Sequence, residues 1–429
     1  MPCRMLAVDS VTSLVAGGGF SSTADELAGS LFGASLFPWL AMLYWLNHPN
    51  VKAPPGVSFG LTFLLAFVFG SIPGAIGAGA LYGVSLADAD WLHGAAESLL
   101  AITNCVVVLG FRDALAQPSI GSAGSPTADG LRTTATALGV LSALSAIVLF
   151  ASGAAEVHTP WLGGIGNLPS TIWPAEPTNA LSIPTWIIHT SSLVEWLVAM
   201  GLAWRYADVV EQPAWKGVTW GMLPLHTSGI VACTYHLFYN APAIAWAVAL
   251  QAGMTCVGNC TLAFACLRLA LACGWTWQMG KEDLQVALAA LQFFDTGQSG
   301  STDDPGRKAS ADDETAPAAR ASATAAATAP LVATTSADAL VGWEDLGDAW
   351  SKDNNLGFLA KLAALSTGLA YAVKYAPATF PGWLTDAWAT VPDEIVTALA
   401  LAVIFVPTGL NVAKWQQRSG EDAEFVGDF

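Results

Sequence analysis

The sequence predicts an all-α fold, a polytopic transmembrane helical bundle of about nine spans. Three observations predict it. Charged residues make up only 11% of the chain and hydrophobic residues 54%, whereas a soluble domain carries about 25% charged residues. The apolar residues fall in runs of roughly 20, the length that crosses a hydrocarbon core of about 30 Å. Alternate connections between those runs hold no Lys or Arg. Within lipid each backbone N–H and C=O must be satisfied inside its own segment, so the runs are read as helices. A membrane β-barrel would alternate apolar and polar residues in strands of about ten.

In chain order the helices are read at Leu31–Asn47, Val57–Tyr82, Leu92–Phe111, Leu131–Ala151, Leu181–Tyr206, Gly217–Tyr239, Ala243–Cys273, Leu356–Tyr375 and Asp393–Trp415. The first is short and carries Pro38. In the second, Gly70, Gly74, Gly79 and Gly83 form small-xxx-small pairs. These predict close helix packing there, with a kink at Pro73. Lys52, Arg112, Arg132, Arg205, Lys216, Arg268, Lys414 and Arg418 fall on one side, and the loops 83–91, 152–180 and 376–391 hold neither Lys nor Arg. The basic side is the one retained in the cytoplasm or stroma. Trp91, Trp161, Trp173, Trp186, Trp383 and Trp388 fall near one interface, and Trp204, Trp215, Trp220 and Trp415 near the other.

The net charge is −17, and residues 281–353 hold thirteen acidic and five basic side chains, a net of −8. An acidic chain without a basic patch is a poor nucleic-acid partner. The tract 296–340, rich in Ala, Thr, Ser, Asp and Pro, lacks the large apolar groups needed to build a core and is expected to be a disordered tether. Five of the seven cysteines lie in apolar runs and no CxxC pair occurs, so a disulfide framework is not expected. No GxSxG, HExxH or P-loop signature marks an enzyme.

Ionisable residues inside a membrane are costly and mark functional positions. Helix three offers His93, Glu97 and Asn104, whose spacings of four and seven place them on one face. Helix five offers His189 and Glu195, and helix six offers His226 and His236. At about 1.5 Å of rise per residue, His189 lies roughly 12 Å below one interface and His226 roughly 15 Å from the other. Both then sit near the midplane on antiparallel neighbours. The expectation is a facing His189–His226 pair, with His93, Glu97 and His236 forming a second layer. Such residues can ligate haem or chlorophyll, line an ion path, or simply fix helix register through hydrogen bonds.

Three segments carry a resemblance: LSIPTWIIHTSSLVEWLVAMGLAWRYAD at 181–208, WKGVTWGMLPLHTSGIVACTYHLFYN at 215–240, and 250–269. They resemble the hypothetical chloroplast reading frame forty-nine family of cyanobacteria and plastids. Residues 31–115, with LFGASLFPWLAMLYWL and the run opening DWLHGAAE, are similar to a second family of unknown function from the same organisms. The resemblance implies a plastid membrane, the thylakoid rather than the inner envelope, with the N-terminus lumenal and the C-terminus stromal. It implies no established reaction. The first expectation is a non-catalytic role in photosynthetic membrane biogenesis or complex assembly, with or without a bound pigment, and with the bilayer and photosynthetic complexes as partners. A small-solute or ion transporter and a haem-binding redox protein are the competing readings. The expected organisation is a tail at 1–30, a three-span domain at 31–115, and a linking span and lumenal loop at 116–180. A second three-span domain at 181–280, the acidic stromal loop at 281–353 and a helix pair at 354–429 complete it.

Overall fold

The computed structural model describes residues 23–116, 126–152, 179–296, 342–375 and 391–422. The described residues are helical throughout and contain no strand. The helices are α1 Thr23–Leu46, α2 Pro55–Tyr82, α3 Asp90–Ala116, α4 Pro126–Ser152, α5 Ile183–Val209 and α6 Ala214–Leu237. They continue with α7 Trp246–Ala272, α8 Trp277–Thr296, a single turn α9 Leu346–Ala349, α10 Asn355–Tyr375 and α11 Asp393–Glu421. Eight of them (α1–α5, α7, α10 and α11) are long and apolar enough to cross a bilayer. The sequence reading of nine spans included α6. That helix has 24 residues, about 36 Å of rise, but Lys216, Thr219, His226, Thr227, Ser228, Thr234 and His236 dilute its apolar content. All seven are buried. α1 also begins eight residues earlier than the apolar run alone indicated, at Thr23 instead of Leu31. The expected tether at 296–340 lies outside the described residues from 297 onward.

The described residues up to Gly274 together with those from Gly342 onward form one compact unit, and the described residues from Trp275 to Thr296 belong to another. In the first unit α5 is central and packs against α3, α6 and α10. α2 packs on α3, α1 on α7, α6 on α7, and α11 on α6. Interhelical hydrogen bonds set the register between α5 and α6: Trp196 Nε1 donates to the Met222 carbonyl at 3.0 Å, and Thr219 Oγ1 donates to the Met200 carbonyl at 3.0 Å. Asn259 Nδ2 donates to the Ser35 carbonyl at 2.9 Å, joining α7 to α1. Large apolar side chains on α4 and α11, including Leu141, Val148, Val406 and Leu410, point outward. Lipid is the solvent that tolerates such a surface. In the second unit, α8 exposes Trp277, Leu284 and Leu288.

Close packing through glycine occurs mostly away from the pattern at Gly70–Gly83, of which only Gly70 is tight: a Cβ there would lie 3.1 Å from Leu99 Cδ1 of α3. A Cβ on Gly74 would meet only the Leu86 side chain at 3.4 Å, an ordinary contact. On Gly56 it would lie 2.7 Å from the Gly110 Cα, and on Gly221 2.8 Å from the Leu262 Cα. The small-residue contacts therefore join α2 to α3 and α6 to α7, where backbones touch. Gly83 serves instead as the left-handed cap of α2, with φ 67° and its N–H donating to the Gly79 carbonyl at 3.1 Å.

One end of the first unit is laced by charge. The turn Trp343–Asp345 and α9 dock on α5, with Glu344 buried. Glu344 pairs with Lys414, Asp345 with Arg418, and Asp348 with Arg205 at 2.8 Å. Arg112 donates to the carbonyls of Trp350 and Asp353 at 3.2 and 2.8 Å. Lys216, buried, pairs with Asp208 at 2.6 Å and with Asp422. This strap ties α3, α5 and α11 together at the end rich in Lys and Arg.

Candidate metal centre

The opposite end is organised by polar contacts in the loops that lead into α3 and α5 and out of α6. Asp90, the first residue of α3, accepts the Ser182 backbone N–H on Oδ1 at 2.9 Å just before α5. Asn240, past the end of α6, donates through Nδ2 to Asp88 Oδ1 at 2.6 Å. Gly94 permits the approach of α3 to α5, since a Cβ there would lie 2.7 Å from Thr185 Oγ1. Three helix ends are thereby held level.

His93, His189 and His236 converge at that level. His93 Nε2 and His189 Nε2 are 3.0 Å apart. The ring centroids are separated by 4.9 Å (His93–His189), 4.9 Å (His93–His236) and 5.1 Å (His189–His236). All three are at most 9% exposed. One nitrogen from each ring lies within 4.8 Å of the others. Trp91, Leu92, Ala95 and Ile188, from the same turns as His93 and His189, form an apolar cluster of their own, and Trp186 lies 6.2 Å from the His189 ring.

The hydrogen bonds assign protons. His189 Nδ1 is 2.9 Å from the Thr185 carbonyl, which only accepts, so Nδ1 carries the hydrogen. The lone pair of neutral His189 is then on Nε2, and His93 Nε2–H donates to it. A ring N–H anchored on a backbone carbonyl, with the other nitrogen free to bind, is the usual posture of a metal-ligating histidine. His236 Nδ1 is buried without a hydrogen-bond partner.

The donor set fits a single small ion. Tetrahedral zinc at about 2.0–2.1 Å from nitrogen places its ligand nitrogens roughly 3.4 Å apart, within the observed envelope. Rings this close leave no gap for a tetrapyrrole between them. The expected His189–His226 pair is not formed. His226 Nδ1 meets Asn411 Nδ2 of α11 at 3.4 Å, while His189 takes His93. The antiparallel neighbour of the start of α5 is the end of α6, so His236 is the residue brought to His189. Glu97, one turn along α3 from His93, is not among the three converging ligands; it lies within electrostatic reach of Cys233 on α6.

Sequence reasoning passed over Asp90, Ser182, Thr185 and Asn240. Only Thr185 carried a usable signal: it lies four residues before His189, where its carbonyl accepts from the same helical face.

Two families of unknown function match the chain: DUF3593 over residues 28–116 and DUF2499 over residues 180–268. A Ycf49-like protein of Synechocystis sp. is 49% identical over 87 residues, 20% of this chain and 84% of the relative. An uncharacterized protein ycf49 of Cyanophora paradoxa is 32% identical over 89 residues, 21% of this chain and 87% of the relative. No solved structure matches the chain. With most of each relative's length matched at these identities, the chain belongs to the Ycf49-like family.

Proposed function

We propose that this protein is a multi-pass plastid membrane protein that holds a first-row transition metal ion at His93, His189 and His236. The observation that supports the reading is the convergence of three buried imidazoles from three helices, one already anchored through Nδ1. Imidazole ligands suit zinc, copper, iron or nickel, whereas Mg²⁺ and Ca²⁺ favour oxygen. α6 is read as the ninth span, with the Lys- and Arg-rich end stromal and the histidine end lumenal, on the positive-inside bias. The Ycf49 relatives support the plastid setting. The thylakoid and a role in photosynthetic membrane biogenesis or complex assembly belong to the same proposal.

The test is metal analysis of the full chain purified in detergent, with an absorption spectrum. One transition metal ion per chain, absent from His189→Ala, is expected. A metal-free protein with a tetrapyrrole spectrum would instead favour chlorophyll or haem ligation.

A further inference from the structure

A second polar cluster lies deeper, between α3 and α5. Asn104 is near the centre of α3, and Glu195 near the centre of α5. Cys105 Sγ donates to Glu195 Oε1 at 3.2 Å, and Asn104 Nδ2 donates to the Ser192 carbonyl at 3.3 Å. Asn104 is 2% exposed and Glu195 4%. Yet Asn104 Oδ1, Ser192 Oγ and Glu195 Oε2 are buried without hydrogen-bond partners.

Helix-fixing polar contacts satisfy their own atoms, because an orphaned buried acceptor costs about 1–3 kcal/mol. Here three oxygens on neighbouring turns of α3 and α5 remain open near the thiol, although Ser191 also hydrogen-bonds the Glu195 carboxyl. Oxygen and sulfur donors around an intramembrane carboxylate are the composition of a cation position. The cluster lies about 9–16 Å from the histidines along the helix axes, six residues on in α5 and eleven in α3. Glu97 lies between the two levels on the His93–Asn104 face of α3.

We propose that the three-histidine centre and the Glu195–Cys105–Asn104 cluster are outer and inner stations of one cation track. Its cargo is a divalent first-row transition metal ion, handed inward by way of Glu97. The inference rests on the metal reading of the histidine centre. It also accounts for why that centre gathers three protein ligands and no fourth among the described residues: an incomplete shell leaves a coordination position for exchange.

The full chain is reconstituted in liposomes containing a zinc-sensitive dye, and bound zinc and zinc entry are measured on the same preparations. Wild type binds zinc at the histidines and passes it down a gradient. Glu195→Gln and Glu97→Gln keep the monodisperse profile of wild type and the zinc held at the three histidines, but slow entry by about 10–100-fold. His189→Ala loses both. Zinc bound by wild type without entry above protein-free liposomes overturns the track and leaves the metal reading intact. No bound zinc overturns both. Entry through Glu195→Gln at the wild-type rate, or proton movement without zinc movement, also overturns the track.

Discussion

His93 and His189 stand 96 positions apart in sequence, yet their Nε2 atoms are 3.0 Å apart. In the metal-free state one donates to the other, so each protects the other from burial without a partner. A bound ion would need the lone pair on both nitrogens, and His93 would then hold its hydrogen on Nδ1 in place of Nε2.

On the proposed metal reading, zinc is a stabiliser. At a zinc concentration about 100 times the Kd, the native state gains about 2.7 kcal/mol. A rise in the melting temperature of the wild-type protein on adding zinc is expected. His93→Ala should melt earlier than wild type without metal, by about 1–3 kcal/mol for the orphaned His189 nitrogen. It should also respond little to zinc. An equal zinc response in the variant would remove His93 from the ligand set.

His226 provides the contrast within one helix. Its partner is Asn411, not the cluster. His226→Ala should keep the zinc stoichiometry of wild type, while His236→Ala loses it. Metal analysis of the two purified variants decides, and zinc loss in His226→Ala would contradict the arrangement.

Glycine substitutions should separate by backbone contact, not by motif. Gly110→Leu forces a side chain into the Gly56 and Val57 backbone. It should reduce accumulation in the membrane severely, since overpacking costs about 1–3 kcal/mol or more. Gly74→Leu meets only the flexible Leu86 side chain and should accumulate close to wild type. Immunoblots of membrane fractions compare them.

The strap allows a comparison of ion pairs by burial. The side chain of Glu344 is 5% exposed against Lys414 at 29%, so Glu344→Ala should cost about 1–3 kcal/mol. Asp129 and Arg132 are 64% and 49% exposed, and Asp129→Ala should change stability by less than about 1 kcal/mol. Thermal unfolding in detergent measures both.

The helices were readable in the sequence because lipid imposes length and apolarity on each span independently. α1 was read short because its first turn mixes Thr23, Asp25 and Glu26 with apolar residues. The spacing of His93, Glu97 and Asn104 places them on one face of α3, since helical period is local. The pairing of His189 was not readable. It depends on how far each helix end protrudes, and that is fixed by Asp90 with Ser182 and Asp88 with Asn240. Those contacts are non-periodic and span long stretches of chain. The glycine pattern held at Gly70 and failed at Gly74, Gly79 and Gly83 for a related reason: spacing shows that a helix can pack closely, not which neighbour is there.

The proposed ligand set straddles a seam. His93 comes from the stretch matched by the first family, and His189 and His236 from the stretch matched by the second. The second stretch alone supplies two imidazoles and the first supplies one, so neither half is a competent three-ligand binder. Covalent linkage in one polypeptide fixes the ratio of the two halves at one to one and raises the local concentration of the missing donor. Split into two chains, the same parts would form the centre only as a heteromer, and metal retention would then report their association.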